Sequence, residues 1–204
     1  MTLRLSGGRR LQSPPGSTAR PTAARVRLAV MNLLATRVPG SRWLDLCCGS
    51  GVMACEALQR GACEVVAVER DRRIAAVARA NLELVRQGRP AASEGTPRCR
   101  VDGDEVLRWL GRTDPSAFDL IYADPPYAAG LYAPIAAAVL RGGWLAPGGI
   151  LVWECASDAV PEPPPGWRCR DQRRYGGSTV VLLEAAPEVV LDGVPASLAD
   201  TWPI

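Results

Sequence analysis

Arg42-Trp43-Leu44-Asp45-Leu46-Cys47-Cys48-Gly49-Ser50-Gly51-Val52-Met53-Ala54-Cys55-Glu56-Ala57-Leu58 passes from a short apolar run, through a glycine-rich turn, into a stretch of helical character. Glycine permits close backbone approach to a ligand, and a helix N-terminus offers unpaired N–H groups. A strand, such a turn and a helix in succession therefore form a nucleotide-type site in an α/β fold. The next apolar run, Glu64-Val65-Val66-Ala67-Val68-Glu69, ends in an acid eighteen positions after Gly51. A carboxylate there can accept both hydroxyl hydrogens of a ribose. The turn departs from the dinucleotide fingerprint, because Ala54 stands where the third glycine belongs and no phosphate-reading element follows. Asp45 would also repel a pyrophosphate. It suits a cationic ligand, such as the amino-acid part of S-adenosylmethionine, whose ammonium it could pair.

Outward from this unit the chain alternates strands and helices. Thr22 can cap a helix over about 23–35, with Val26, Val30, Leu33 and Leu34 on one face. The pattern then predicts strand 43–48, helix 51–60, strand 64–69 and helix 71–86, the last with Ile74, Val77, Ala78, Leu82 and Val85 at helical spacing. A polar loop follows, then strand 98–102, a short helix to about 111, strand 118–123, helix 131–141, strand 149–155 and a hairpin of 167–174 with 178–184. Such alternation calls for a mostly parallel sheet with helices on both faces, and the tight Tyr175-Gly176-Gly177 turn makes the last two strands antiparallel. Residues 1–42 read as a basic arm and first helix belonging to the same domain as 43–184, and 185–204 as an acidic tail.

At the end of Phe118-Asp119-Leu120-Ile121-Tyr122-Ala123 stands Asp124-Pro125-Pro126-Tyr127. Two prolines fix φ near −65° and bias the residue before each towards extended backbone, so the loop is stiff. The Asp124 carboxylate and the Pro125 carbonyl can accept hydrogen bonds from an exocyclic amine while the Tyr127 ring lies against the heterocycle carrying it. Asp45, Glu69, Asp102 or Asp104, and Asp124 all fall at carboxyl ends of strands, where ligands of open α/β sheets sit.

Asp45 to Gly51, Glu69 and Asp124 to Tyr127 together resemble motifs of the class I S-adenosylmethionine-dependent methyltransferases that modify exocyclic amines. The opening segment is similar to the bacterial 16S rRNA guanine-N2 methyltransferase family known as RsmD, in Leu5-Ser6-Gly7-Gly8-Arg9-Arg10-Leu11, Pro14, Arg20-Pro21-Thr22, Arg25-Val26 and Asn32-Leu33-Leu34. Arg174-Tyr175-Gly176-Gly177-Ser178-Thr179 resembles that family's last hairpin, so the likeness covers about residues 3–184. It implies strand order 3-2-1-4-5-7-6. It implies methyl transfer from S-adenosyl-L-methionine to the N2 of a guanine in 16S rRNA or the small subunit, by a cytoplasmic, monomeric, metal-independent enzyme.

The expected cofactor contacts are Gly49, Ser50 and Gly51 beneath the methionine part, Asp45 at its ammonium, Glu69 on the ribose, Arg70 or Asp71 beside adenine, and Asp104 at the adenine amine with Asp102 competing. The resemblance adds Arg20 and Thr22 closing over cofactor and base. Catalysis is expected from Asp124, Pro125 and Tyr127, with Tyr122 and Tyr132 as packing residues.

Residues 1–42 hold eight arginines and no acid, whereas the rest holds sixteen arginines and twenty-one acids. Every cation is a guanidinium, able to bridge phosphate oxygens or stack on bases. Arg9, Arg10, Arg20 and Arg25 are therefore expected to grip RNA. No apolar run approaches eighteen residues and no secretory core opens the chain, which predicts a soluble intracellular protein. Seven cysteines form no CxxC pair and histidine is absent, which argues against zinc and against a histidine base. An N6-adenine or glutamine-amide methyltransferase fits the same loop. A non-catalytic RNA-binding module that keeps the fold is the rival from another class.

Overall fold

The structure is a computed structural model that describes residues 3–14, 24–88, 96–112 and 117–187. Its elements are α1 (Ala24–Leu33), β1 (Arg42–Leu46), α2 (Val52–Gln59), β2 (Glu64–Val68), α3 (Arg72–Gln87), β3 (Arg98–Asp102), α4 (Val106–Leu110), β4 (Phe118–Ala123), a 3-10 turn (Tyr127–Ala129), α5 (Tyr132–Arg141), β5 (Leu145–Ala156), β6 (Trp167–Tyr175) and β7 (Ser178–Ala185). The seven strands lie in the order β3-β2-β1-β4-β5-β7-β6. β1 to β5 run parallel, and β7 is antiparallel to both β5 and β6. The expected α/β class and strand order are met.

Side-chain alternation along the strands feeds two cores. Trp43, Val65, Ala67, Leu120, Tyr122, Val152, Val180 and Leu182 meet α1, α2 and α3 on one face. Leu44, Leu46, Val66, Val68, Ile121, Ala123, Leu151, Trp153, Val181 and Leu183 meet α4 and α5 on the other. The long helix α3 starts at Asp71, whose carboxylate accepts from the N–H groups of Arg73 and Ile74, a side-chain N-cap.

Boundaries shift in instructive ways. β5 begins at Leu145, not 149, because the Pro-Gly-Gly segment stays in the strand as a bulge. Phe118 pairs with Leu145 and Leu120 with Ile150, so two steps of β4 face five of β5. The 3-10 turn at Tyr127 was not expected; Pro126 O accepts from Ala129 N–H at 2.9 Å and closes it. Helix α1 starts at Ala24, and the Thr22 cap lies outside the described residues. No described helix is long and apolar enough to cross a membrane.

The basic arm is built into the fold. Leu5 and Leu11 are buried in the first core. Ser6 donates from its N–H and its hydroxyl to the two Glu56 carboxylate oxygens, at 2.7 and 2.6 Å. Buried Glu56 also accepts from Arg27 Nε at 3.0 Å, and Arg27 Nη2 reaches the Arg4 carbonyl. A buried carboxylate needs such pairing, since an isolated one would be strongly desolvated.

Candidate active site

β1 carries the glycine turn on its carboxyl end, and β2 and β4 flank it. The chain folds back sharply there, with Cys47 at φ 61°, Gly49 at 53° and Gly51 at 73°. Glycine is required at 51 on a second count, since a Cβ built there would lie 3.0 Å from the Ala78 Cβ on α3. Cys47, a non-glycine residue in the left-handed region, is strained. Its thiol is pushed up to about 12, by burial first and then by the charges of Glu69, Asp45, Asp124 and Glu105. It is no nucleophile at neutral pH.

Glu69 stands beside this turn. Its Oε2 accepts from Gly49 N–H at 3.0 Å and its Oε1 from Asp71 N–H at 2.9 Å. Each carboxylate oxygen has a second lone pair, so the half-buried group is oriented by the backbone and retains capacity for two hydroxyl donors. That fits the ribose role. Ser50 belongs to the same turn, and its carbonyl accepts from Asn81 Nδ2 at 3.0 Å.

Asp45 requires a correction. It is only 1% exposed and lies behind the turn, where Oδ2 accepts from Ala54 N–H in the first turn of α2 at 2.9 Å. Burial raises its pKa to about 8; the Ala54 hydrogen bond opposes this and the Glu69 charge adds to it. A carboxyl mostly protonated at neutral pH and closed from the cleft holds the helix and the turn together. It does not present a charge for an ammonium in this state.

On the adenine side, Asp102 Oδ2 accepts from buried Trp109 Nε1 at 2.6 Å and lies 3.2 Å from Arg100 Nε and from Arg112 Nη1. Asp104 accepts from Glu105 N–H, Arg108 and Arg112. Its own N–H donates to the Glu69 carbonyl at 3.1 Å, which places it next to the ribose acid. Asp71 caps α3 through Oδ1 alone, and Arg70 beside it is exposed, so the pair expected near adenine stands together next to Glu69.

β4 delivers the Pro-Pro loop one strand away, since Leu46 of β1 pairs with Ala123. Asp124 is half-buried, Pro125 is buried, and Tyr127 is 37% exposed. Tyr122 and Tyr132 are packing residues, as expected. The Tyr122 hydroxyl donates to Glu154 Oε2 at 2.5 Å and the Tyr132 hydroxyl to the Glu154 carbonyl at 2.6 Å.

Two residues escaped the sequence reading. Glu154 is 3% exposed and follows Trp153, the partner of Ala123, so it stands level with Asp124. An acid closing the apolar run Ile150–Trp153 was the signal, the same one that drew attention to Glu69. Asn81 is fully buried on α3. Its Oδ1 accepts from Gln12 N–H at 2.8 Å, and its Nδ2 donates to the Gln12 and Ser50 carbonyls at 3.0 Å each. One amide thus clamps the arm and the glycine turn. A polar residue among Ala78, Leu82 and Val85 was its signal.

Arg9 corrects the expectation of an RNA grip. Its guanidinium donates to the carbonyls of Leu84, Val85 and Gly88 at the C-terminus of α3. That end lies about 20 Å along the helix from Asp71, which stands next to Glu69, and about 5–10 Å beyond Asn81, at about 1.5 Å per residue. Arg10 follows it, exposed and bridged through its backbone to Arg4. Arg25 is exposed at the hairpin turn. Arg20 lies outside the described residues, with Thr22.

An acid-lined glycine turn at the carboxyl ends of a 3-2-1-4-5-7-6 sheet, with a rigid acceptor loop one strand away, defines a class I methyltransferase. The chain belongs to the family described as Conserved hypothetical protein 95, which matches residues 5–184. The Ribosomal RNA small subunit methyltransferase D of Escherichia coli strain K12 is 27% identical over 170 residues, spanning 83% of this chain and 81% of that protein. The solved structure of yhhF from Escherichia coli superposes with a TM-score of 0.76 at 26% identity, over 91% of this chain and 98% of the other. The rRNA methyltransferase aviRa from Streptomyces viridochromogenes shares the fold, with a TM-score of 0.62 at 22% identity over 84% of this chain and 88% of its own.

Proposed function

We propose that the protein transfers a methyl group from S-adenosyl-L-methionine to the exocyclic N2 of a guanine in small-subunit rRNA. The observation that supports this most is the placement of the Asp124–Tyr127 loop on the strand next to the glycine turn. Neighbouring strands lie about 4.8 Å apart, so an amine at the loop and a methyl donor over the turn come within the separation that a transfer needs.

Glu69 would hold the ribose, the 49–51 turn would lie beneath the methionine part, and Arg70 or Asp71 with Asp104 would flank the adenine. When bound, S-adenosylmethionine supplies an electrophilic methyl on a sulfonium. The guanine N2 lone pair is delocalised into the ring and is a poor nucleophile. Asp124 and the Pro125 carbonyl each take one amino hydrogen, which turns the lone pair towards the donor, and Asp124 can accept the proton that nitrogen sheds. Tyr127, partly exposed on its 3-10 turn, gives the unstacked base a face to lie on. Most of the acceleration then comes from positioning and a preorganised field. Arg10 and Arg25 contribute to RNA attraction, and Arg9 does not.

The test is transfer of labelled methyl from S-adenosylmethionine to rRNA of cells lacking the protein, followed by mapping of the labelled base. One guanine labelled on N2 in small-subunit rRNA is expected. Label on adenine N6 would move the reading to the adenine class, and binding without transfer would leave a non-catalytic module.

A further inference from the structure

Several arginines that made residues 1–42 look like an electrostatic arm are engaged inside the protein: Arg4 with the Gly8 carbonyl, Arg9 with the end of α3, Arg27 with Glu56, and Arg37 with the Gly148 carbonyl. An RNA substrate must therefore find part of its cationic surface elsewhere. β6 runs parallel to β5, so the Tyr175–Gly177 turn stands at the same end of the sheet as Asp124. Ala156 pairs with Ser178 there, and Ser157 N–H donates to the Gly177 carbonyl at 3.0 Å.

Two guanidinium groups meet at this turn. Arg174 Nε donates to the Gly176 carbonyl at 3.2 Å. Arg25 from α1 lies over the same glycine, since a Cβ there would come within 2.7 Å of Arg25 Nη2. Gly176, at φ 70°, both permits the turn and leaves room for that group. Lower on β6 the arginines are neutralised: Arg168 and Arg170 share Glu184, and Arg173 pairs with Asp171. Among the described residues neither Arg25 nor Arg174 has a carboxylate partner, and Asp158 in the neighbouring loop makes no ion pair with either. Two like charges held at one glycine are a site for an anion.

We infer that the RNA strand bearing the target crosses the carboxyl ends of β5 and β7, and that Arg25 and Arg174 hold its phosphates at the hairpin turn. The inference rests on the reading of RNA as substrate. From β4 to β6 is three strand spacings, about 14 Å. At about 3.4 Å per stacked nucleotide, the gripped phosphates lie about four nucleotides from the target. Guanidinium forks suit phosphate oxygens, and α1 and β6 fix both forks on regular elements.

The experiment compares wild type, Arg25→Ala/Arg174→Ala and Arg168→Ala/Arg170→Ala on an rRNA fragment that wild type methylates. RNA affinity is followed across a salt series by fluorescence anisotropy, and S-adenosylhomocysteine affinity by calorimetry. The Arg25/Arg174 pair should raise the KM for RNA and flatten the slope of log K against log salt by about 1.4, two single-strand phosphates at about 0.7 each. Its kcat and S-adenosylhomocysteine affinity should hold, and the Arg168/Arg170 pair should resemble wild type. On RNA cut back to the target and two neighbours on each side, the difference between wild type and the Arg25/Arg174 variant should vanish. An unchanged slope in that variant, folded by circular dichroism, overturns the inference. Failure of wild type to bind or methylate any rRNA fragment overturns the substrate reading itself, and the two results are told apart by the wild-type measurement.

Discussion

Burial holds the Asp45 carboxyl at about 8, while an unfolded aspartate titrates near 4. Between about pH 4 and 8 the folded protein therefore keeps a proton that the unfolded chain has released. The stability this contributes is full below the unfolded value and is lost as pH rises through the folded one. Asp45→Asn keeps an oxygen to accept from Ala54 N–H and removes the titration. In urea denaturation at a series of pH values, stability of the wild type relative to the variant should decline from pH 5 to 8; a pH-independent difference would show that Asp45 is ionised in the fold. Asp124 makes the contrasting case of a half-buried acid directly after β4. Asp124→Ala should abolish methyl transfer while S-adenosylhomocysteine affinity changes little, because an acceptor for the amine acts mainly in the transition state. Near-normal single-turnover rates would remove the loop from the chemistry. The sequence made both residues visible as acids in or directly after apolar runs, yet it could not tell the fully buried one from the half-buried one. That difference is set by α2 folding back over β1.

Helix α3 joins three parts of the site: Asp71 starts it next to Glu69, Ala78 abuts Gly51, and Asn81 ties Ser50 to Gln12. Asn81→Ala leaves the Ser50 carbonyl and both polar groups of Gln12 without this partner, and unsatisfied buried groups cost about 1–3 kcal/mol each. Stability should fall by an amount of that order, and S-adenosylhomocysteine should bind more weakly in calorimetry even under conditions where the variant is fully folded. Unchanged affinity would mean that the turn holds its shape without the amide. Most elements were legible because apolar period and glycine punctuation agree, as in α3 and β2. The long β5 was not, since Pro147-Gly148-Gly149 has the composition of a loop and only pairing with β4 keeps it in the sheet as a bulge. The 3-10 turn at Tyr127 was hidden for a related reason. Two prolines announce rigidity, but Gly130, at φ 62°, ends the turn, and that conformation is not written in the residues before it.

Across the whole molecule, charge composition promised an arm gripping RNA, and the fold uses much of that arm as a strap. It buries Leu5 and Leu11 in the first core, pairs the buried Glu56 carboxylate through Ser6 and finishes α3 with Arg9. Composition could not reveal this, because an arginine bound to helix carbonyls and an arginine in water are the same letter. The two roles predict opposite results for Arg9→Ala. If Arg9 gripped phosphate, the variant would keep its stability and lose close to one phosphate from the salt dependence of RNA binding. As a cap it donates to the Leu84, Val85 and Gly88 carbonyls at the C-terminal end of α3, where a cation is also favoured by the helix dipole. Its loss should then lower stability by about 1–2 kcal/mol, two or so net hydrogen bonds, visible as a lower denaturation midpoint. The slope of log K against log salt for RNA should stay that of the wild type, because this guanidinium is already held by the carbonyls at the end of α3. A flattened slope with an unchanged midpoint would return Arg9 to the RNA surface and leave α3 to be capped by water.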